Sequence, residues 1–548
     1  MVTGLRSLVP FADIAAGVRF LGRLPSFLRH PIGSAEARAI VRRRLERREA
    51  DFLAVAERLI YGYDGSPYRR LLRLAGCEYG DLERLVDREG VEGTLRNLYR
   101  QGVYLTVDEF KGRRPAVRGS ATVPVDPARL CNPRATVHAL AQSSGSRGPR
   151  TQVPLDLASN WDHAVNRRLS LDARDAIGWR HAIWGVPGGG EMVIVLRFAV
   201  CGAPPVRWFS QVDPAAPGLH PRYRWSGRLM RWGSLLAGVP LPTPRYVPLE
   251  DPSAILSWMV GVRRAGGTPH LKTFPSSAVR LCQAALDDGL DLRGVKFTLT
   301  GEPITAVRLA RIGRAGAEAV PDYGSTESGA IGEWCLAPDA PDDVHLFHDL
   351  QALIQPGPNG QDRGLPPGAL LISSLRLTAP LILLNVSMGD QAEMTERACG
   401  CPMERHGWTT HLHTIRSFEK LTGEGMTFFD TDVIRVLEEV LPTRFGGTPT
   451  DYQLSEEEAE DGRSRLRLLV HPAVGPLDEA AVVDQFLASI GAGSGAERVM
   501  EQFWRQAGVV RVERRAPHAQ ASGKILHLHL QRRDAAPVEP PTGSGGVE

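Results

Sequence analysis

Lysine is nearly absent from this chain. Of its 65 basic residues only Lys111, Lys272, Lys296, Lys420 and Lys524 are lysine, and the rest are arginine. Arginine serves wherever a fixed, forked charge suffices, so each retained lysine raises the question of what a compact ammonium on a flexible stem does there. Cysteine is scarce as well. Seven residues, at 77, 131, 201, 282, 335, 399 and 401, lie irregularly over 548 positions, which excludes a disulfide framework and fits a reducing compartment. Surplus charge is missing: 65 basic against 62 acidic residues leave a net +3, so the electrostatic footprint of a nucleic-acid binder is not there. No apolar run approaches the length of a membrane span, and no small-residue cleavage pattern marks the N-terminus as a signal peptide, so the expected location is cytoplasmic.

What remains is an ordinary soluble composition, 43% hydrophobic and 23% charged, in a chain too long for a single core. Leu5 to Leu28 is apolar with scattered arginines. Val18, Phe20, Leu21, Leu24 and Phe27 give it an apolar face, whose expected use is packing on the main body, with a membrane-surface helix as the alternative. Ala35 to Tyr61 repeats apolar residues at three- and four-residue spacing and predicts one amphipathic helix. Helices are also expected at 68–74, 91–101, 158–171, 253–265, 276–288, 432–440 and 479–490, with strands at 136–141, 191–200, 295–300, 369–375, 380–386, 465–470 and 509–512. Gly301-Glu302-Pro303 is expected to open a helix. Strands alternating with helices predict an α/β protein with mostly parallel sheets covered by helices, and ligands at the carboxyl ends of the strands. The expected division is a helical N-terminal segment at 1–115, a large domain at 116–416, a small mobile α+β domain at 417–536, and a disordered Pro/Gly tail at 537–548.

Four stretches carry chemistry. In Tyr323-Gly324-Ser325-Thr326-Glu327, read as a strand end breaking into a loop, Gly324 lets a ligand approach the backbone, while Thr326 and Glu327 set a hydroxyl beside a carboxylate suited to Mg²⁺. Ser143-Ser144-Gly145-Ser146-Arg147-Gly148 concentrates glycines and hydroxyls so that amides turn toward one anion. No Gly-Lys-Ser/Thr closes it, so it is not the common strand-to-helix nucleotide loop. Asp390, after Gly389, can accept both hydroxyls of a ribose. Lys524 sits in Ala521-Ser-Gly-Lys524. Cys399-Gly-Cys401 alone reads as a tight turn with two small thiols.

Taken together and in order, these stretches resemble the adenylate-forming superfamily of acyl-CoA synthetases, peptide-synthetase adenylation domains and luciferases, and most of all its phenylacetate-coenzyme A ligase branch, over roughly residues 130 to 530. The resemblance implies an AMP-forming acid-thiol ligase. It implies ATP contacts from the 143–148 loop, Gly301, Glu302 and the 323–327 stretch, Mg²⁺ on Glu327, ribose on Asp390 and Arg416, a hinge at Glu419, and Lys524 as the cation at the reacting carboxylate and α-phosphate. The pattern is altered in places. Arg147 replaces a threonine of the loop, and Asn385-Val386-Ser387 replaces the usual Arg-Tyr-Arg before the Asp390 turn. The branch also implies a structural zinc on Cys335, His345, Cys399 and Cys401, with His348, His406, His411 and His413 as alternative donors. Substrates would be a small carboxylic acid, ATP, and coenzyme A or a carrier-protein thiol. An amine or nitrite acceptor, or a paralogue that binds ATP without turnover, are the alternatives.

Overall fold

The computed structural model describes residues 11–142, 152–185, 189–211, 213, 222–357, 365–417, 422–423, 426–427, 430–458, 464–492, 505, 510–519, 525 and 527–531. The chain divides into two compact units, Met1–Phe418 with Ala519–Lys524, and Glu419–His518 with Ile525–Glu548.

The first unit is built on one twelve-stranded sheet with two differently wired halves. From one edge, Gln351–Ile354, Ala369–Ser374, Val386–Glu396, Thr410–Ser417, Val344–Leu346 and Gly329–Trp334 pair antiparallel. Then Glu318–Ser325, Lys296–Thr300, Pro269–Thr273, Arg180–Gly185, Arg207–Ser210 and Pro244–Tyr246 run parallel. Glu318–Ser325 is the seam, parallel to one neighbour and antiparallel to the other. Helices Ser253–Arg264, Pro275–Asp287 and Ala306–Arg314 pack on the parallel half through Leu271, Phe297 and Leu299, and its central strands are buried on both faces, with His270, Lys272 and Thr298 among the enclosed residues. The architecture is the mixed α/β one expected from the alternation.

Several elements differ from expectation for identifiable reasons. Met192 to Leu196 forms part of a helix, Gly189–Val200, not a strand. A short continuous apolar run fits either element. Here it is wedged between helices Phe11–Arg29 and Leu157–Ala173, which bury Met192, Val195, Leu196 and Phe198. The expected strand at 380–386 begins only at Val386, because Asn385 turns the chain at φ 51°, and it continues to Glu396, so that Asp390 lies inside a strand instead of beyond one. Gly301 to Pro303 stays outside the helix. Ala306–Arg314 starts after Thr305, whose hydroxyl accepts from Arg308 N–H at 3.3 Å. The single helix expected over 35–61 breaks at Arg47 into Ser34–Glu46 and Arg48–Val55, and Gly90 (φ 66°) interrupts Tyr79–Arg100.

The N-terminal helices are part of the same core as the antiparallel half: Phe52, Leu59, Tyr68, Leu95 and Leu98 pack with Leu371, Ile382 and Val386. Asn385 Nδ2 donates to Leu95 O at 2.8 Å and Val103 O at 3.1 Å, and Tyr68 donates to Ile382 O at 3.1 Å. Asn385 is thus a buried tie to the N-terminal helices.

In the second unit a four-stranded sheet is ordered Val510–Arg514, Ser464–Val470, Tyr452–Glu458, Leu528–Gln531, the central pair antiparallel and the outer two added in parallel. Helix Glu479–Ile490 and the turns from Asp430 to Phe445 cover it through Val433, Leu437, Phe486 and Leu487.

Candidate active site and metal centre

The Tyr323–Glu327 stretch stands at the carboxyl end of the seam strand and turns through Thr326–Ser328 into Gly329–Trp334. The turn is held by Ser328 N–H donating to Ser325 Oγ at 3.0 Å. Gly324 answers a packing constraint that the sequence did not show. The ladder slips between Tyr323 and Gly324, and a Cβ on Gly324 would lie 2.5 Å from Gly329 O, so the absent side chain makes room for the hairpin's own backbone. Gly329 answers a second constraint: at φ 77° its Cβ position is 2.4 Å from His163 Nε2.

Glu327 is 7% exposed and has no hydrogen-bond or ion-pair partner among the described residues. Thr326 is exposed at the tip of the turn. Glu327 lines a small recess with Ser159, Asp162, His163, Ser328 and Arg376. Asp162 is claimed by Arg44 and Thr378. His163 Nδ1 has no partner among the described residues; burial, reinforced by Arg197, Arg44 and Arg167, pushes the imidazole well below its ordinary pKa and keeps it neutral. None of Asp162, His163 and Arg167 was legible as part of the site. They belong to a polar stripe, Ser159, Asn160, Asp162, His163, Asn166, Arg167, Ser170, whose helical spacing reads as a solvent face but is buried.

Beside Glu327, Tyr323 Oη donates to Asp390 Oδ2 at 3.1 Å, so two separately read motifs meet. Burial, with Asp390 adding to it, raises the Tyr323 phenol well above its usual value, so it remains a donor. Arg416 is not brought to Asp390. It pairs across the ladder with Gln391, and its guanidinium donates to Asp342 Oδ2 at 2.7 Å. Glu302 is also engaged: Ser276 N and Oγ donate to it at 3.0 and 2.7 Å and Arg308 pairs with it at 2.9 Å, which caps helix Pro275–Asp287 from inside. Gly301 takes φ 81° and carries the chain past this cap. Ser143, Ser144, Gly145, Ser146, Arg147, Gly148, Glu419 and Lys524 lie outside the described residues.

Directly beneath the loop, Lys272 and Arg167 both bind Asp322, Arg167 at 2.6 Å, and Arg167 pairs with Glu333 at 3.0 Å; all four are buried. Burial alone would raise the Asp322 carboxyl, but Lys272 and Arg167 outweigh it and hold the group far below the usual carboxylate range. Burial instead raises Glu333, with Asp322 adding to the effect.

A second cluster gathers where Val344–Leu346 and Thr410–Ser417 pair His345 with His411. The donor atoms of Cys335, His345, Cys399 and His411 all lie within 4.8 Å of one another, and Cys401 Sγ is 3.1 Å from His345 Nε2. His345 Nδ1 bonds Trp408 O at 2.7 Å and His411 Nδ1 bonds Asp343 Oδ1 at 2.7 Å. Both contacts leave the Nε2 lone pairs for the cluster, and the buried His411 Nε2 has no hydrogen-bond partner among the described residues. Gly400 (φ 72°) closes the turn that presents Cys399 and Cys401 together. Three sulfurs and two imidazole nitrogens with oriented second contacts suit a closed tetrahedral site.

No protein-family model and no curated protein sequence matches the chain. Among solved structures, 2-hydroxyisobutyryl-CoA ligase in the postadenylation state in complex with 2-HIB-AMP superposes with TM-score 0.52 at 14% identity, over 92% of this chain and 91% of that one. The same ligase in complex with R3-HIB-AMP gives 0.51 at 15% identity, over 89% of both chains. The fold of this protein is that of the adenylate-forming enzymes. In particular it is the fold of a ligase solved with an acyl-adenylate bound.

Proposed function

We propose that the protein activates a small carboxylic acid with ATP, forming an acyl-adenylate and pyrophosphate, and passes the acyl group to the thiol of coenzyme A. Glu327 carries this reading. It is a carboxylate 7% exposed, lining the recess and without a partner among the described residues, which suits it to a hard cation brought in with a phosphate ligand. It stands on the seam of a fold shared with a ligase solved holding 2-HIB-AMP.

In the first half-reaction an oxygen of the acid attacks the α-phosphorus while the bond to pyrophosphate breaks. In the second the thiol sulfur attacks the acyl carbon and AMP leaves. Little covalent help is needed, and the work is to hold two anions in line. Asp390, fixed by Tyr323, would accept the ribose hydroxyls, the amides of 143–148 and the Thr326 hydroxyl would meet phosphate, and Lys524 would face the reacting oxygens. Glu327 would hold Mg²⁺, which supplies neutralisation of phosphate charge.

Acid-dependent exchange of pyrophosphate into ATP, run across an acid library, tests the proposal. At least one acid should drive exchange, and coenzyme A should then release AMP; ATP binding with no exchange for any acid overturns it. Glu327→Gln should lower exchange roughly ten- to hundredfold at ordinary Mg²⁺ without changing the unfolding transition, since it removes a hard anionic ligand but keeps its shape. A rate within about twofold of the parent would take Glu327 out of the metal role.

We further assign a structural zinc to Cys335, His345 and Cys399, with Cys401 or His411 as the fourth ligand, in keeping with the phenylacetate-coenzyme A ligase branch. Protein purified without added metal should carry about one zinc per chain, and its removal should lower thermal stability more than it alters exchange. Cys401→Ser and His411→Ala, compared for retained zinc, identify the fourth ligand; well-folded parent protein free of zinc defeats the assignment.

A further inference from the structure

Helices Phe11–Arg29 and Arg222–Leu236 lie side by side, far in sequence from the residues assigned to the reaction. Their contact is close because Gly233 has no side chain: a Cβ there would lie 2.8 Å from Leu24 Cδ2. Phe20, Leu24, Leu28 and Met230 face inward and are buried. The two packed helices keep large apolar groups in water: Trp232 at 69% exposure, Leu236 at 70% and Leu235 on one, and Val18 at 65% on the other. Large apolar side chains left in water on adjoining helices call for a partner.

The charge around it indicates which. Arg19, Arg23, Arg29 and Arg231 are exposed on the same two helices, and no exposed aspartate or glutamate is found among the described side chains of either helix. Arg19 donates to Val137 O, Arg29 to Leu236 O and Arg231 to Leu241 O, so these guanidiniums are steered by main-chain carbonyls, and none of the three has an ion pair with a carboxylate among the described residues. Exposed aromatic and leucine side chains on helices that also expose several arginines are the composition of an interfacial membrane contact, in which the apolar groups enter the acyl boundary and the cations meet lipid phosphate. No helix of the described residues is long and apolar enough to cross a membrane, so the contact is with one leaflet.

We propose that this two-helix face docks the protein on an anionic lipid surface. The test is co-sedimentation of the full chain with vesicles of phosphatidylcholine alone or with about 30% phosphatidylglycerol, at low and raised salt. Binding should be at least about tenfold stronger to the anionic vesicles and weaken with salt, as expected for several arginines near the surface. Trp232→Ser with Leu236→Ser should lower anionic binding at least about tenfold, and Arg23→Glu should reduce it and its salt dependence, all with the parent's thermal transition. Failure of the parent to bind anionic vesicles overturns the proposal, as does equal binding to neutral ones. Binding that survives the paired substitution overturns it too. Self-association of the parent that is lost in the paired variant, without vesicle binding, assigns the face to a second copy and rejects the membrane.

Discussion

Lys524→Ala is expected to slow acyl-adenylate formation by about two to three decades, the loss that follows removal of one preorganised charge contact to a transition state. The residue lies outside the described part of the structure, so the argument is one of sequence and chemistry. The chain chooses arginine almost everywhere, and Lys524 follows a Ser-Gly step in Ala521-Ser-Gly-Lys524. A compact ammonium on a long stem can enter a closing site that a planar guanidinium fits poorly. The two half-reactions separate this role from a general defect. Thioester formation from a supplied synthetic acyl-adenylate should persist in Lys524→Ala, because that step starts after the α-phosphate chemistry is complete. Single-turnover measurements of each step decide it, and equal loss in both, or in neither, removes Lys524 from adenylation.

Arg167→Met should destabilise the first unit by about 3–5 kcal/mol, the size of loss seen when one partner of a buried ion pair is removed and the other charge is stranded. Arg167 is fully enclosed and serves both Asp322 and Glu333, so methionine keeps much of the volume while leaving Lys272 as the only cation on Asp322. Denaturant unfolding measures the loss. Combining Arg167→Met with Asp322→Asn and Glu333→Gln should recover part of it, because those carboxylates no longer need a counter-charge. A single variant within about 1 kcal/mol of the parent would show that the cluster is not held together through Arg167. Asp322 precedes Tyr323 directly, so the same variant should also disturb the hairpin that carries Glu327.

The sequence was informative where local chemistry decides structure. Glycine and proline punctuation located most helices and strands, and the Tyr323–Glu327 stretch lay at a strand end as expected. It was uninformative where tertiary packing decides. The Met192 to Leu196 run satisfies both periods and became a helix because helices flank it. The buried polar stripe from Ser159 to Ser170 mimics a solvent face, and only the fold shows that it borders the recess at Glu327. Gly324 was singled out for ligand approach, and the fold adds a constraint the sequence did not show, a collision with Gly329 contributed by the returning strand. Arg416 sits one ladder position away from the partner of Asp390, and on a pleated strand one position separates two faces.

The burial of Lys272 has a practical corollary. An amine-directed reagent added to folded protein meets very few targets in a chain with five lysines, and Lys272, 4% exposed and bound to Asp322, is not among them. Its ε-amine becomes reactive only when the strand Pro269–Thr273 leaves the sheet. Labelling of the single tryptic site at Lys272 therefore works as an internal clock for opening of the parallel half, read by mass alone and without an engineered probe.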